Sequence, residues 1–236
     1  MPNEIVWILP PGCEVRAAVG RWVGPGEGGG PGEGGGPLAG WRRHFPARDL
    51  AALPAHRQEE HQAVVAILDA LLPPGWQVDH DAQGRPRLVP SAWEEGQAPA
   101  PLPHLSLSHA RQGADLWAAA ALAPFPVGID LETPRPQLRR IAPRIFSTSE
   151  RARLPAAPDD LETLCLLWCI KEALWKALGP ELRFIDEIEV QGLDAPLSQL
   201  AAGASLPVRV RNQTLTCWVA RLEMGWVALG PLHPLP

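Results

Sequence analysis

The chain has 236 residues, 46% of them hydrophobic, and a formal net charge of -5 at pH 7, which describes a soluble globular protein with one large core or two modest domains. The acidic balance, with no basic stripe carrying interleaved aromatics, excludes a nucleic-acid partner. No apolar run approaches the roughly 20 residues needed to cross a bilayer, and residues 1 to 11 lack the basic start and small-residue cleavage site of a secretory signal, so a cytoplasmic location is expected.

In chain order, the first feature is the repeat at residues 24–37, Gly-Pro-Gly-Glu-Gly-Gly-Gly-Pro-Gly-Glu-Gly-Gly-Gly-Pro, which has nothing apolar to bury and reads as a surface loop. A phosphate-cradling loop needs a strand before it and a helix after it, and neither flanks this one. Helical spacing of Ala63, Val64, Ile67, Leu68, Leu71 and Leu72 predicts a helix over Arg57 to Leu72, stopped by Pro73-Pro74-Gly75. Residues 84–103, rich in Pro and Gly, read as loop. Leu105 to His109 alternates as a short strand ending at a polar tip, with a partner strand over Ala114 to Leu122. Pro124 and Pro126 punctuate the midpoint, dividing the chain into halves at residues 1–124 and 125–236.

The second half opens with a strand over Val127 to Glu132, then helices over Gln137 to Arg144 and Asp159 to Leu178. Asp159 or Asp160 caps the long helix and Gly179-Pro180 ends it. Strands are predicted over Ile185 to Val190, Leu206 to Val210, Leu215 to Glu223 and Trp226 to Leu229. Each half thus offers helix plus strands, consistent with two related α+β halves meeting at a cleft. The cysteines Cys13, Cys165, Cys169 and Cys217 form no Cys-x-x-Cys pair and have no histidine at zinc-finger spacing, so they read as reduced thiols. Cys165 and Cys169 fall at core positions of the long helix.

The charges that point to chemistry cluster in this second half. Of 21 basic side chains only two are lysines, Lys171 and Lys176, both on the long helix. An ammonium differs from a guanidinium in hydration and geometry, which suggests a site where a point charge is wanted. Strand alternation puts Asp130 and Glu132 on one face, where two carboxylates repel unless a hard divalent cation such as Mg²⁺ joins them; the same alternation also describes a polar face meeting solvent. Trp168, Glu172, Lys176 and Gly179 fall on neighbouring turns of one helix face, so Glu172 is a candidate third oxygen ligand or base and Lys176 a phosphate contact. An ordinary exposed Glu-to-Lys pair has the same spacing, and Trp168 and Trp175 read first as packing. Ser108-His109 offers a hydroxyl and an imidazole, whereas the Gly-x-Ser-x-Gly elbow of a serine hydrolase is absent.

Taken together, Gly84-Arg85-Pro86, Leu105-Ser-Leu-Ser108-His109, Val127-Gly-Ile-Asp130-Leu-Glu132, Phe146 with Glu150, and Trp168-x-x-Lys171-Glu172-Ala173-x-x-Lys176-x-x-Gly179 occur in an order that resembles the Sfp-type 4′-phosphopantetheinyl transferases, over about residues 84 to 180. The resemblance implies a pseudo-twofold pair of α+β halves, with coenzyme A as co-substrate and transfer of its 4′-phosphopantetheine to a serine of an apo acyl, polyketide or peptidyl carrier protein. It implies Mg²⁺ held by Asp130, Glu132 and Glu172, and phosphate contact by Lys176. Ser108 and His109 would bind the nucleotide end. Arg85 stands where the family usually has lysine, and Arg57 is favoured over Arg42 and Arg43 for the 3′-phosphate. Ser106 and Ala110 depart from the usual pattern. Two halves in one chain make a monomer the expected state. A coenzyme A or carrier-binding module without turnover, and a Mg²⁺-dependent hydrolase of another phosphate compound, are the competing readings.

Overall fold

The structure, a computed structural model, describes residues 4–8, 10, 14–23, 43–46, 52–91, 103–153, 160–193, 197–200 and 203–234. The glycine-rich repeat, Arg42 and Cys13 lie outside them. The chain divides into two compact units, one of residues 1–9 and 16–124 and the other of residues 10–15 and 125–236. Each is a sheet with helices, an α+β fold. Among the described residues no helix is long and apolar enough to cross a membrane.

In the first unit, β1 (Glu4–Ile8), β2 (Arg16–Val23), β3 (Trp76–His80), β4 (Pro86–Pro90), β5 (His104–Gln112) and β6 (Asp115–Ala123) form an antiparallel sheet in the order β1-β2-β6-β5-β4-β3. Helix α1 (Ala55–Leu71) buries Ala63, Val64, Ile67, Leu68 and Leu71 against Ala18, Leu105, Ala118, Ala120 and Leu122 of that sheet. The four alanines at 118–121 favour helix by propensity, but pairing on both sides makes them strand, and their small size admits the helix closely. Gly113, at φ 62°, starts the two-residue loop joining β5 to β6, where hairpins favour glycine.

Three expectations are corrected here. The glycine-rich repeat, read as having no strand before it, follows directly on β2, which ends at Val23. Residues 86–90, read as loop, are strand β4 paired along its length with β3. Its prolines stand at the first and last positions, where a missing N–H costs the ladder least. The strand through Leu105 also does not stop at a tip after His109 but runs to Gln112.

In the second unit, β7 (Gly128–Glu132), β8 (Ile188–Val190), β9 (Ala204–Val210), β10 (Gln213–Leu222) and β11 (Gly225–Gly230) form an antiparallel sheet in the order β7-β11-β10-β9-β8. Helices α2 (Gln137–Ile145), α3 (Thr148–Arg153), α4 (Leu161–Leu178), α5 (Phe184–Glu187) and α6 (Leu197–Leu200) accompany it. The Asp160 side chain accepts from Glu162 N at 3.1 Å and so caps α4. Gly179, at φ 107°, ends that helix. Helix α4 packs fully buried Leu164, Leu167, Cys169 and Ile170 into the core that also holds Cys217, Trp226 and Ala228. Residues 185–187, expected as strand, instead complete a helical turn: Arg183 N donates to the Glu187 carboxylate at 2.9 Å, so pairing begins only at Ile188.

Candidate active site

The centre of the second unit is the contact of β7 with α4. Gly128 makes it possible: a Cβ there would lie 1.7 Å from the Ala173 carbonyl oxygen and 3.0 Å from Ala177 N. Without that Cβ the helix backbone lies directly on the strand. Strand alternation then places Asp130 and Glu132 on the same side as Gly128, facing α4. The face is therefore packed, not a polar surface meeting solvent. Asp130 pairs with Ala228 and Glu132 with Trp226 in the β7–β11 ladder. Cys169 Sγ, within the helix, donates to the backbone oxygens of Asp130 at 3.3 Å and Trp226 at 3.4 Å, tying α4 to both strands.

Lys176 Nζ donates to Asp130 Oδ1 at 2.6 Å and to the Ile129 carbonyl at 3.2 Å. Asp130 is 6% exposed and Lys176 25%, so the pair is largely shielded yet reachable from solvent. Glu132 accepts from Trp168 Nε1 at 2.8 Å and forms an ion pair with Arg135 at 3.1 Å. Glu172 is half-buried on α4, one turn before Lys176. Desolvation first, then the Asp130 charge, raises both Glu132 and Glu172 to about 7, against the pull of Arg135 and Trp168 on Glu132 and of Lys176 on Glu172. Three carboxylates thus share one electrostatic neighbourhood with one ammonium.

Among the described residues no three His, Cys, Asp or Glu side chains stand ready as a metal cage. The chemistry of the donor set nevertheless fits a hard divalent cation. Asp130, Glu132 and Glu172 offer only oxygens, and a cation placed among them would offset both the burial and the Asp130 charge that hold Glu132 and Glu172 near neutral pKa.

Lys171, on the other side of α4, is fully buried and paired at 2.7 Å with the equally buried Glu150. Ser147 and Glu150 form a capping box: Ser147 N donates to Glu150 Oε2 at 2.8 Å and Glu150 N donates to Ser147 Oγ at 3.1 Å. Lys171 therefore does not face the carboxylates. Burial lowers its pKa, and Glu150 opposes the shift. Cys165 and Cys169 are buried core thiols whose pKa burial raises, as expected of packing residues.

The first-unit candidates separate. His109 Nε2 lies 3.2 Å from Glu60 Oε2, and Arg57 Nη1 donates to the same oxygen at 2.9 Å, so Arg57 and His109 meet at one carboxylate of α1. Ser108 is buried and, as the next residue on β5, projects from the opposite face. Arg85 is drawn to Asp81 at 2.9 Å in the β3–β4 turn. Arg43 pairs with Asp69 at 3.2 Å. Trp168, read as packing, proves to be a hydrogen-bond donor to Glu132; its four-residue offset from Glu172 was the signal available.

Comparison with known proteins bears on the second unit above all. Residues 126–225 match the family described as the 4'-phosphopantetheinyl transferase superfamily. That segment contains Asp130, Glu132, Glu150, Lys171, Glu172 and Lys176, whereas Arg57, Arg85, Ser108 and His109 fall before it. The chain is 29% identical over 118 residues to the 4'-phosphopantetheinyl transferase psf-1 of Bacillus pumilus, covering 49% of this chain and 46% of that protein. It is 28% identical over 140 residues to the 4'-phosphopantetheinyl transferase Sfp of Bacillus subtilis strain 168, covering 56% of each. A third relative, a 4'-phosphopantetheinyl transferase of Bacillus subtilis, is 35% identical over 81 residues, 34% of each chain. The matched segments thus span about half, or less, of the length of these relatives.

Proposed function

We propose that this protein, similar to the 4'-phosphopantetheinyl transferase superfamily over residues 126–225, transfers the 4′-phosphopantetheine of coenzyme A to a serine hydroxyl of an apo carrier protein and releases adenosine 3′,5′-bisphosphate. The observation that carries the reading is the approach of Lys176, Asp130, Glu132 and Glu172 across the β7–α4 contact, within the matched segment.

In this reading Asp130, Glu132 and Glu172 hold Mg²⁺, which when bound neutralises charge on the pyrophosphate. Lys176 turns its ammonium from Asp130 toward a phosphate oxygen, supplying charge that costs little reorganisation. Glu172 is assigned to take the proton from the carrier serine, directly or through an intervening water. The serine oxygen forms the new bond to the phosphopantetheinyl phosphorus. The bond from that phosphorus to the bridging oxygen breaks, and the electron pair leaves with the nucleotide. Arg57, Arg85, Ser108 and His109 are assigned to the nucleotide end of coenzyme A. The carrier is an acyl, polyketide or peptidyl carrier protein, and the protein acts as a cytoplasmic monomer.

Incubation with coenzyme A, Mg²⁺ and a panel of apo carriers, followed by mass spectrometry of the carriers, tests the reading. One phosphopantetheine per carrier is expected. No adduct on any carrier overturns it; coenzyme A binding without transfer then indicates a binding module, and phosphate release without a carrier indicates a hydrolase. A Glu172→Gln protein that modifies carriers at the parental rate removes Glu172 from the role of base.

A further inference from the structure

Among the described residues the Lys171–Glu150 pair is the second unit's most deeply buried charge, and it touches none of the carboxylates of the site. Around Lys171 Nζ stand three oxygens: Glu150 Oε2 at 2.7 Å, the Ile145 carbonyl at 2.6 Å and the Phe184 carbonyl at 3.0 Å. All three only accept, so the nitrogen supplies three N–H donors and is an ammonium. Glu150 completes the network by accepting from Ser147 N at 2.8 Å and Val190 N at 2.7 Å. A buried ion pair seldom stabilises a fold more than apolar side chains of the same volume would. What this one supplies is direction: it fixes the ends of α2, α3, α5 and β8 to the middle of α4.

One of those fixed points leads back to the site. Phe184, whose carbonyl Lys171 holds, sets its ring edge-on against Trp168, with centroids 5.3 Å apart and planes at 74°. Its ring also leans on Trp175 at 6.4 Å. Trp168, thus braced, donates its indole N–H to Glu132 Oε1 at 2.8 Å. An indole has one donor and one direction, so the tilt of the ring sets which way the carboxylate turns. We infer that Trp168 is a positioning residue that aims Glu132 in the carboxylate cluster, and that the Lys171–Glu150 network, acting through Phe184, holds the indole in place. The inference rests on the reading of Asp130, Glu132 and Glu172 as a cation site. It also accounts for a lysine at 171 in an arginine-rich chain: a planar guanidinium cannot direct donors at three oxygens arranged around a single nitrogen.

The test measures Mn²⁺ binding in the presence of coenzyme A, from the electron paramagnetic resonance of free Mn²⁺, beside thermal unfolding of the same samples. Trp168→Phe keeps the ring and removes the donor. Lys171→Met/Glu150→Gln removes both buried charges together and strands neither. Phe184→Leu removes the brace but leaves its carbonyl, which covers the case in which the double variant fails to fold. Outer-shell partners of this kind alter metal affinity about 10- to 100-fold, so Trp168→Phe should weaken Mn²⁺ binding at least about tenfold while unfolding within a few degrees of the parent. The double variant and Phe184→Leu should each weaken it less, and neither should weaken it further once Trp168→Phe is present, because all act through one hydrogen bond. Parental affinity in Trp168→Phe overturns the positioning role, and losses that multiply in the combined variants overturn the path. A parent that binds Mn²⁺ but modifies no carrier overturns the transferase reading alone; a parent that modifies carriers but takes no Mn²⁺ overturns the cation site and the positioning role alone.

Discussion

Glu172→Gln should stabilise the metal-free protein while abolishing transfer, and the size of the gain follows from the site. In the folded chain Glu172 titrates at about 7 against 4.5 for a free carboxyl, first through burial and then through the Asp130 charge. Between those values the folded state keeps a proton that the unfolded state has released, so stability falls as pH rises from about 4.5 through about 7 and is level above it. The ionised carboxylate then costs the fold about 3 kcal/mol at pH 8 and about 1 kcal/mol at pH 5. Glutamine cannot ionise and escapes the cost. Unfolding measured with a chelator present should show the variant ahead of the parent by about 5 to 10 °C at pH 8, and by far less at pH 5. Saturating Mg²⁺ should close most of the gap at pH 8 by stabilising the parent. A gain that is absent, or larger at pH 5 than at pH 8, would refute the argument that burial, reinforced by the Asp130 charge, disfavours the ionised Glu172 carboxylate.

Gly128→Ala puts a methyl group 1.7 Å from the Ala173 carbonyl, where backbone must move, and should cost about 3 kcal/mol or more in chemical unfolding along with most of the transfer activity. Lys176→Arg keeps the charge but changes its shape beside Asp130, so kcat should fall at least about tenfold with the unfolding midpoint moved little. Arg57→Ala frees Glu60 to His109 alone and, on the assignment of Arg57 to the 3′-phosphate, should raise the KM for coenzyme A with kcat nearly unchanged. With a coenzyme A analogue lacking that phosphate, the variant and parent should then have the same KM.

The elements legible in the sequence were those with one clear period. Helix α4 shows its apolar positions, its Asp160 cap and its Gly179 stop, and it forms where expected. The alternation around Asp130 correctly turns the acidic side chains to one face, but alternation cannot say what covers that face. The answer lay in Gly128, whose missing Cβ lets the helix lie on the strand. Strand β4 was hidden because Pro86 and Pro90 argue against a strand unless their places in the ladder are known. The turn at 184–187 was hidden because β-branched Ile185 and Ile188 read together as one strand running into Val190. Long-range partners were least legible of all. Helical spacing links Glu172 to Lys176, and nothing local shows that Lys176 reaches 46 residues back to Asp130, or that Lys171 turns away to Glu150.

The scarcity of lysine has a practical consequence for anyone handling the protein. Lys171 is fully enclosed, so Lys176 is the one lysine side chain that an acylating reagent can reach, and its 2.6 Å contact with Asp130 ties its nucleophilicity to the state of the site. Among lysine side chains, labelling by an amine-directed reagent is therefore confined to one position. The extent of labelling at residue 176 reports whether its ammonium is engaged, and immobilisation through lysine takes up the group paired with Asp130.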